Sequence, residues 1–502
     1  MSDGNAARDD AVGGRRAVGR PMLWSSLESL SLAAVSFLVL AMLARYLDAG
    51  TFGRAAIALG AVQIACSFVE SFFHNAVVQR KDLQPSDIDA AHTGGLLMAL
   101  VLVVGIGAYG ALALWRPDDG IGIGIDVGVG AAELALWMTP SVLLTAASAM
   151  TIAQLRRQLS MRPLALAMAG SRLVAGVATI VALAQGAGVW AMVLNQNLAA
   201  LTLLVLLALV REPGVARPRL TRDLSGARRL AAFASWNSAS GLLNTNLSRF
   251  FQVACGFVLP AAVVGQLALA LRIVEMLVAV LVTGVSRVAL SRLAAAAHEG
   301  RNVGALFIAT TRRLCFAMLP VLLLMAVLAE PLVLFIGRAG WQQAAVLVAW
   351  FALAQALRSP VFMANTLFLG VGRPRVALFV SVAELASLAL MTAVLQSPLA
   401  WVARLVVVLP LVLGLLHTRF GIGLPALLRA VRAPFVAALS MGALLHAALS
   451  TYAPLSPAPL ATLLAGSLAG ALIYALVAAA LLGAQRVSAA WRHALHPVAG
   501  RS

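Results

Sequence analysis

Arg249, Arg272 and Arg358 each fall inside long apolar runs. An ionisable side chain at the centre of a membrane-spanning helix costs roughly 2.5–3.5 kcal/mol on insertion scales, so it usually faces a protein interior or a wet cavity. A guanidinium stays charged and binds phosphate through paired N–H donors. The chemistry these three residues suggest is anion binding, with Asn244 and Gln355 nearby as neutral hydrogen-bonding groups. Gln355 and Arg358 precede Pro360. A proline within a span frees backbone carbonyls and often marks a bent helix at a site. Arg358 is therefore the leading single candidate.

Carboxylates are fewer. Gln63, Ser67, Glu70 and His74 fall at i, i+4, i+7 and i+11, which puts them on one helical stripe. Either the stripe lines a cavity with Glu70 as a proton or cation site, or it bonds to neighbouring helices with His74 at the membrane interface. Glu28 is the second candidate for ion coupling. Glu275 follows Arg272 by three residues and could neutralise it. Arg172, Glu384 and Arg404 also fall deep in apolar runs and read as pairing with neighbouring spans. An interior with more arginine than carboxylate suits an anionic substrate; a drug or metal-cation exporter would want carboxylates there.

The elements that carry these residues must cross a membrane. Of the 502 residues, 61% are hydrophobic and 11% charged, and the mean hydropathy is +0.93. A soluble protein has about 25% charged residues. The net charge of +18 is spread between apolar runs rather than gathered in one patch. That pattern is a topology signal, not a nucleic-acid footprint. It makes anionic membrane lipids an expected partner of the basic face. Cys66, Cys255 and Cys315 lie in apolar runs without a CxxC or Cys/His cluster, so neither a metal nor a cofactor is expected. No GxxxxGK[ST], GxSxG or HExxH motif is present, so no catalytic residues are assigned and an enzyme is not expected. Asp118, Asp119 and Asp126, in a Gly-rich connection, match no ion-loop spacing and read as a flexible external loop.

Residues 24–59 recur at 236–271. One constant shift carries Trp24 to Trp236, Ser36 to Ser248, Ala49 to Ala261, Gly53 to Gly265 and Leu59 to Leu271. A repeat this long is a statement about architecture. With about 20 apolar residues per crossing, the chain predicts an all-α polytopic membrane protein of about 14 spans. Arginines and Lys81 concentrate on alternate connections. The opposite side has Arg45, Arg54, Arg116 and Arg338, which puts both termini in the cytoplasm. Six spans per repeat is an even number, so two pseudo-symmetric six-helix lobes run parallel, related by an axis along the membrane normal. Gly53 and Gly265 become paired external corners. The expected division is a disordered cytoplasmic tail at 1–22, a first lobe at 23–210, a basic cytoplasmic linker at 211–230 with an amphipathic helix near its end, a second lobe at 231–418, an extra helix pair at 419–484 and a cytoplasmic tail at 485–502.

The stretches ARYLDAGTFGRAAIALG and HNAVVQRKDLQPSDIDAAHTGG carry a resemblance. They are similar to the polysaccharide flippase branch (Wzx-type) of the multidrug/oligosaccharidyl-lipid/polysaccharide exporter superfamily. The shared features are an L-x-x-x-x-(F/x)-G turn after each half's first span and a V-Q-R-K-D-L loop after the second. The resemblance runs over roughly residues 22–420 and is strongest at 40–95 and 231–290. It implies two lobes around a central cavity and alternating access. It implies transport of an undecaprenyl-diphosphate-linked oligosaccharide across the bacterial inner membrane, for exopolysaccharide, O-antigen or capsule synthesis, with contact to the polysaccharide polymerase machinery. Cationic cavity residues would meet the diphosphate. Many relatives have an acidic residue near Arg249, whereas the run here is LSRFFQVACGF, with none. The alternatives are a cation-coupled multidrug exporter of the same fold, a lipid II flippase, and a membrane polymerase or ligase. The last class usually has a long external loop, which this chain lacks.

Overall fold

The structure is a computed structural model that describes residues 34–80, 82–115, 128–210, 212–337, 340–452 and 459–495. Glu28, both chain ends, Lys81 and the loop with Asp118, Asp119 and Asp126 lie outside the described residues. Helices and no strands occur among those described. Among the described residues, twelve helical segments are long and apolar enough to cross a membrane.

The first compact unit comprises the described parts of residues 1–269 and 374–400. It contains α1 (Ala34–Tyr46), α2 (Ala49–Gln79), α3 (Pro85–Trp115), α4 (Gly128–Met138), α5 (Pro140–Arg157), α6 (Met161–Ala184), α7 (Trp190–Leu209), α8 (Ser225–Gly256) and the first turns of α9 (Ala261–His298). A later helix, Pro374–Leu395, also belongs to it and packs on α8. Asp48 caps α2 by accepting a hydrogen bond from the Thr51 amide at 2.9 Å. Between α4 and α5, Pro140 has no N–H to donate, yet the two run on as one apolar span, Gly130–Arg157.

Lipid is as apolar as leucine, so helices associate in a membrane through close packing and interhelical hydrogen bonds, which favours small residues at the contacts. The core of this unit follows that rule. Ala76, Ala90, Ala91, Ala149, Ala153 and Ala227 meet from α2, α3, α5 and α8, with Phe73, Met150 and Leu230 filling between them. Gly176 of α6 lies so close to α1 that a Cβ there would sit 2.9 Å from the Val35 side chain.

Two boundaries differ from expectation. Helix α8 starts at Ser225 rather than 231, and residues 212–224 are not helical, so the linker holds no separate amphipathic helix. Asp223 explains the start: its carboxylate accepts from the Ser225 amide at 2.9 Å, as turn-initiating Asp does. Arg228 and Arg229 thus sit within the first turns of α8. Gly53 and Gly265 are not turn corners either; they lie in the first turns of α2 and α9.

The second unit comprises residues 270–373 and the described parts of 401–502. After the rest of α9 come α10 (Val303–Val327), α11 (Ala329–Ile336), α12 (Gln342–Arg358), a single 3₁₀ turn (Ser359–Val361) and α13 (Ala364–Gly370). The Pro374–Leu395 helix of the first unit is α14, and α15 (Ala400–Ala403) leads into α16 (Leu405–Phe420), α17 (Leu424–Tyr452) and α18 (Pro459–Leu495). Residues Gln342–Gly370 form one apolar span built of three pieces. Pro360 is the cause, since proline removes a backbone donor and clashes with the preceding turn. At the end of α16, Gly421 adopts φ 65°, and the Ile422 amide closes on the Leu416 carbonyl, a glycine C-cap. Helix α18 runs to Leu495, past the expected limit of 484. Its Leu464, Leu468, Leu472 and Leu476 repeat every fourth residue and are exposed, which is the stripe that lipid covers.

Candidate functional site

In the first unit the site is built where α8 lies along α2. Arg249 is half-buried, its Nε donates to Gln63 Oε1 at 2.7 Å, and one terminal nitrogen donates to the Thr245 carbonyl at 3.0 Å. Gly60, one turn before Gln63, lets the helices approach; a Cβ there would lie 3.3 Å from the Val253 side chain. Gln63 and the Thr245 carbonyl thus orient the guanidinium between α2 and α8. Asn244 is exposed and lies on another part of the α8 surface.

The α2 stripe meets arginine at both ends. At the far end, His74 Nε2 lies 3.4 Å from an Arg156 terminal nitrogen, while His74 Nδ1 is buried without a hydrogen-bond partner. Glu70 is half-buried between Gln63 and His74. The stripe therefore makes contacts with both α8 and α5.

Sequence reasoning passed over Asn195, Gln196 and Asn197, three successive amides in an otherwise apolar run. Asn197 accepts from the Ser141 amide at 3.1 Å and donates to the Trp137 carbonyl at 2.7 Å, which satisfies the backbone where Pro140 interrupts it. Gln196 donates to Ser141 Oγ at 3.2 Å, and Asn195 donates to Thr179 Oγ1 at 2.7 Å. The signal was there: three consecutive amides in a span must find partners, since hydrocarbon offers none.

In the second unit, Arg272 stands at the middle of the span Ala261–Val282 and is half-buried. Among the described residues it makes no hydrogen bond or ion pair, and neither does Glu275. The expected i, i+3 neutralisation does not form; an acid placed C-terminal to its base is the weaker orientation on a helix. Arg358 ends α12, half-buried, with its guanidinium 5.6 Å from the centre of the Phe362 ring. Gln355 lies one turn earlier and is buried. The break after Arg358 is braced by Ser359, which accepts from Cys315 Sγ at 3.5 Å.

The remaining deep candidates divide. Arg404 is 1% exposed and stacks on Trp401, 3.5 Å from the ring centre. Glu384 is equally buried, in α14 of the first unit. Arg172, near the middle of α6, has an exposed side chain. No cluster of three or more metal-ligating side chains occurs among the described residues.

Residues 42–346 match the profile of a family described as polysaccharide biosynthesis protein. The chain belongs to that family. No curated protein matches it in sequence. Its fold is similar to that of the lipid II flippase MurJ in an inward closed conformation, with TM-score 0.70, 11% identity, 91% of this chain and 98% of that one covered. It is also similar to an inward-facing multidrug resistance transporter of the MATE family, with TM-score 0.56, 14% identity, 85% and 99% covered. A third likeness is to the eukaryotic MATE transporter AtDTX14, with TM-score 0.55, 13% identity, 83% and 98% covered. The family member is thus a multi-pass membrane protein whose fold is similar to those of this flippase and these exporters.

Proposed function

We propose that this polysaccharide-biosynthesis transporter moves an undecaprenyl-diphosphate-linked oligosaccharide across the bacterial inner membrane by alternating access. The observation that carries the reading is Arg272: a half-buried guanidinium at mid-span with no partner among the described residues. A cation left so in hydrocarbon is costly, and a dianionic headgroup recovers that cost through charge-assisted hydrogen bonds. Within the second unit Arg358 is a further candidate anion ligand, with Gln355 as a neutral donor; within the first unit Arg249 is another, with Asn244 as its neutral donor. The polyprenyl tail stays in lipid while the headgroup crosses. Glu70 and Glu28 are the candidate groups for ion coupling. The two six-span lobes of the repeat are the bodies that rock, and the polymerase machinery receives the product.

The test uses Arg272→Gln and Arg272→Lys at matched membrane levels, with export of the lipid-linked repeat unit as the readout. Loss with Gln and partial retention with Lys is expected, because Lys keeps the charge but not the paired geometry. Normal export by Arg272→Gln would overturn the site. Equal loss of export of a cationic drug would favour the multidrug reading.

A further inference from the structure

The second unit contains a cleft of about 400 Å³ that the transport reading does not use. It lies where three proline-interrupted segments come together: the 3₁₀ turn at Pro360, α16 with Pro410 inside it, and α17 with Pro434 inside it. Each proline removes a helical hydrogen bond and crowds the carbonyl four residues back, which disfavours straight, close packing of these segments along one another. The space they leave is walled by Leu409, Leu413, Leu427, Val431 and Phe435, nearly all hydrocarbon. The charged residues among its lining are Arg429 and Arg432, both exposed and three positions apart in α17. Arg429 Nε donates to the Pro425 carbonyl at 3.2 Å, which orients its guanidinium at the start of the helix. Neither arginine forms an ion pair among the described residues.

We infer that this cleft is a binding site for one anionic phospholipid, with an acyl chain between α16 and α17 and its phosphate between Arg429 and Arg432. Three features support that occupant. The wall is apolar and lies in membrane-spanning helices. Among the described residues, the charged residues of its lining are two arginines, whose guanidiniums a phosphate matches bidentately and a zwitterionic headgroup matches less well. A cleft of this size takes one acyl chain and not the far longer polyprenyl tail of the proposed substrate. An anionic lipid held here would fill the gap at three proline-interrupted segments, joining the Pro360 break to α17 through packing that the protein alone does not provide.

The experiment measures binding of phosphatidylglycerol and phosphatidylethanolamine to the purified, delipidated full chain by native mass spectrometry. Phosphatidylglycerol is expected to bind preferentially. With two arginines contributing at a membrane surface, Arg429→Gln with Arg432→Gln is expected to weaken it about 30-fold. Leu413→Trp keeps both charges and fills the cleft, and is expected to abolish the same binding. Arg301→Gln, an exposed arginine outside the cleft lining, is expected to leave it unchanged. Equal binding of the two lipids, or binding unaffected by either the double substitution or Leu413→Trp, would overturn the site. Stoichiometric displacement of phosphatidylglycerol by a polyprenyl diphosphate would overturn the phospholipid assignment, since the cleft would then serve the substrate.

Discussion

Gly53 and Gly265 meet backbone to backbone. A Cβ on Gly53 would lie 1.8 Å from the Ala261 carbonyl oxygen, and one on Gly265 would lie 1.9 Å from the Ala49 carbonyl oxygen. The repeat carries Ala49 to Ala261 and Gly53 to Gly265. Each glycine therefore touches the carbonyl that its own counterpart's partner supplies, a local twofold relation between the first turns of α2 and α9. The only residue that permits this approach is the one without a side chain.

Substitution at this crossing has a definite expectation. Gly53→Ala and Gly265→Ala should each destabilise the purified protein by about 1–3 kcal/mol, the usual cost of overpacking. The double variant should cost less than the sum, since one separation of the helices relieves both clashes. Thermal unfolding in detergent checks this; strict additivity would show that the two glycines do not share one contact.

The linker is tied down by Gln154, whose amide makes reciprocal bonds with Ala216: Nε2 donates to its carbonyl at 3.0 Å and Oε1 accepts from its amide at 2.8 Å. Asp89 and Thr93 accept from the Arg219 and Thr221 amides, and Arg229 pairs with Asp87 at 2.8 Å. Gln154→Ala removes the first anchor. Trypsin should then cut at Arg219 or Arg222 several-fold faster than in the parent chain, because cleavage requires local release of the backbone. An unchanged cleavage rate would mean the other contacts suffice.

Asp48 holds the start of α2. Hydrogen bonds from the Thr51 side chain and amide hold its carboxyl below the ordinary carboxylate value. Asp48→Ala should lower stability by about 1 kcal/mol, and Asp48→Asn by much less. The sign of the pH effect follows from the lowered value. The charge-dependent share of the stabilisation is complete above the unfolded-state pKa of about 3.9 and is lost as pH falls through the folded-state value. Acid titration of unfolding in the parent and the Asn variant should diverge only in that range.

Arg404 gives the sharpest test of a buried charge. Its guanidinium lies flat on Trp401 and donates to the Trp401 carbonyl. Arg404→Lys keeps the charge but loses the planar stack, and should cost about 2 kcal/mol, the scale of a desolvated cation–π contact. A Lys variant as stable as the parent would mean that charge alone matters there.

The membrane class, the repeat and the break at Pro360 were legible in the residues because each is a local property. Hydropathy over 20 residues reports the solvent a helix must face, and a proline breaks a helix wherever it stands. The arginines of interest were legible for the same reason: a charge in an apolar run is conspicuous. Their partners were not. Arg249 meets Gln63 across 186 positions of sequence, whereas Arg272 fails to meet Glu275 three residues away. Asn195 to Asn197 turned out to brace a helix break, and Gly53 and Gly265 to be a contact rather than a pair of corners. Each of those outcomes depends on how far a helix is rotated about its axis and which neighbour it crosses. One residue of rotation turns a side chain by about 100°, and only packing of the whole set of helices selects among the rotations. The sequence alone determined that charges and amides must lie within apolar spans, and the tertiary structure decided which of them satisfy one another and which find no partner among the described residues.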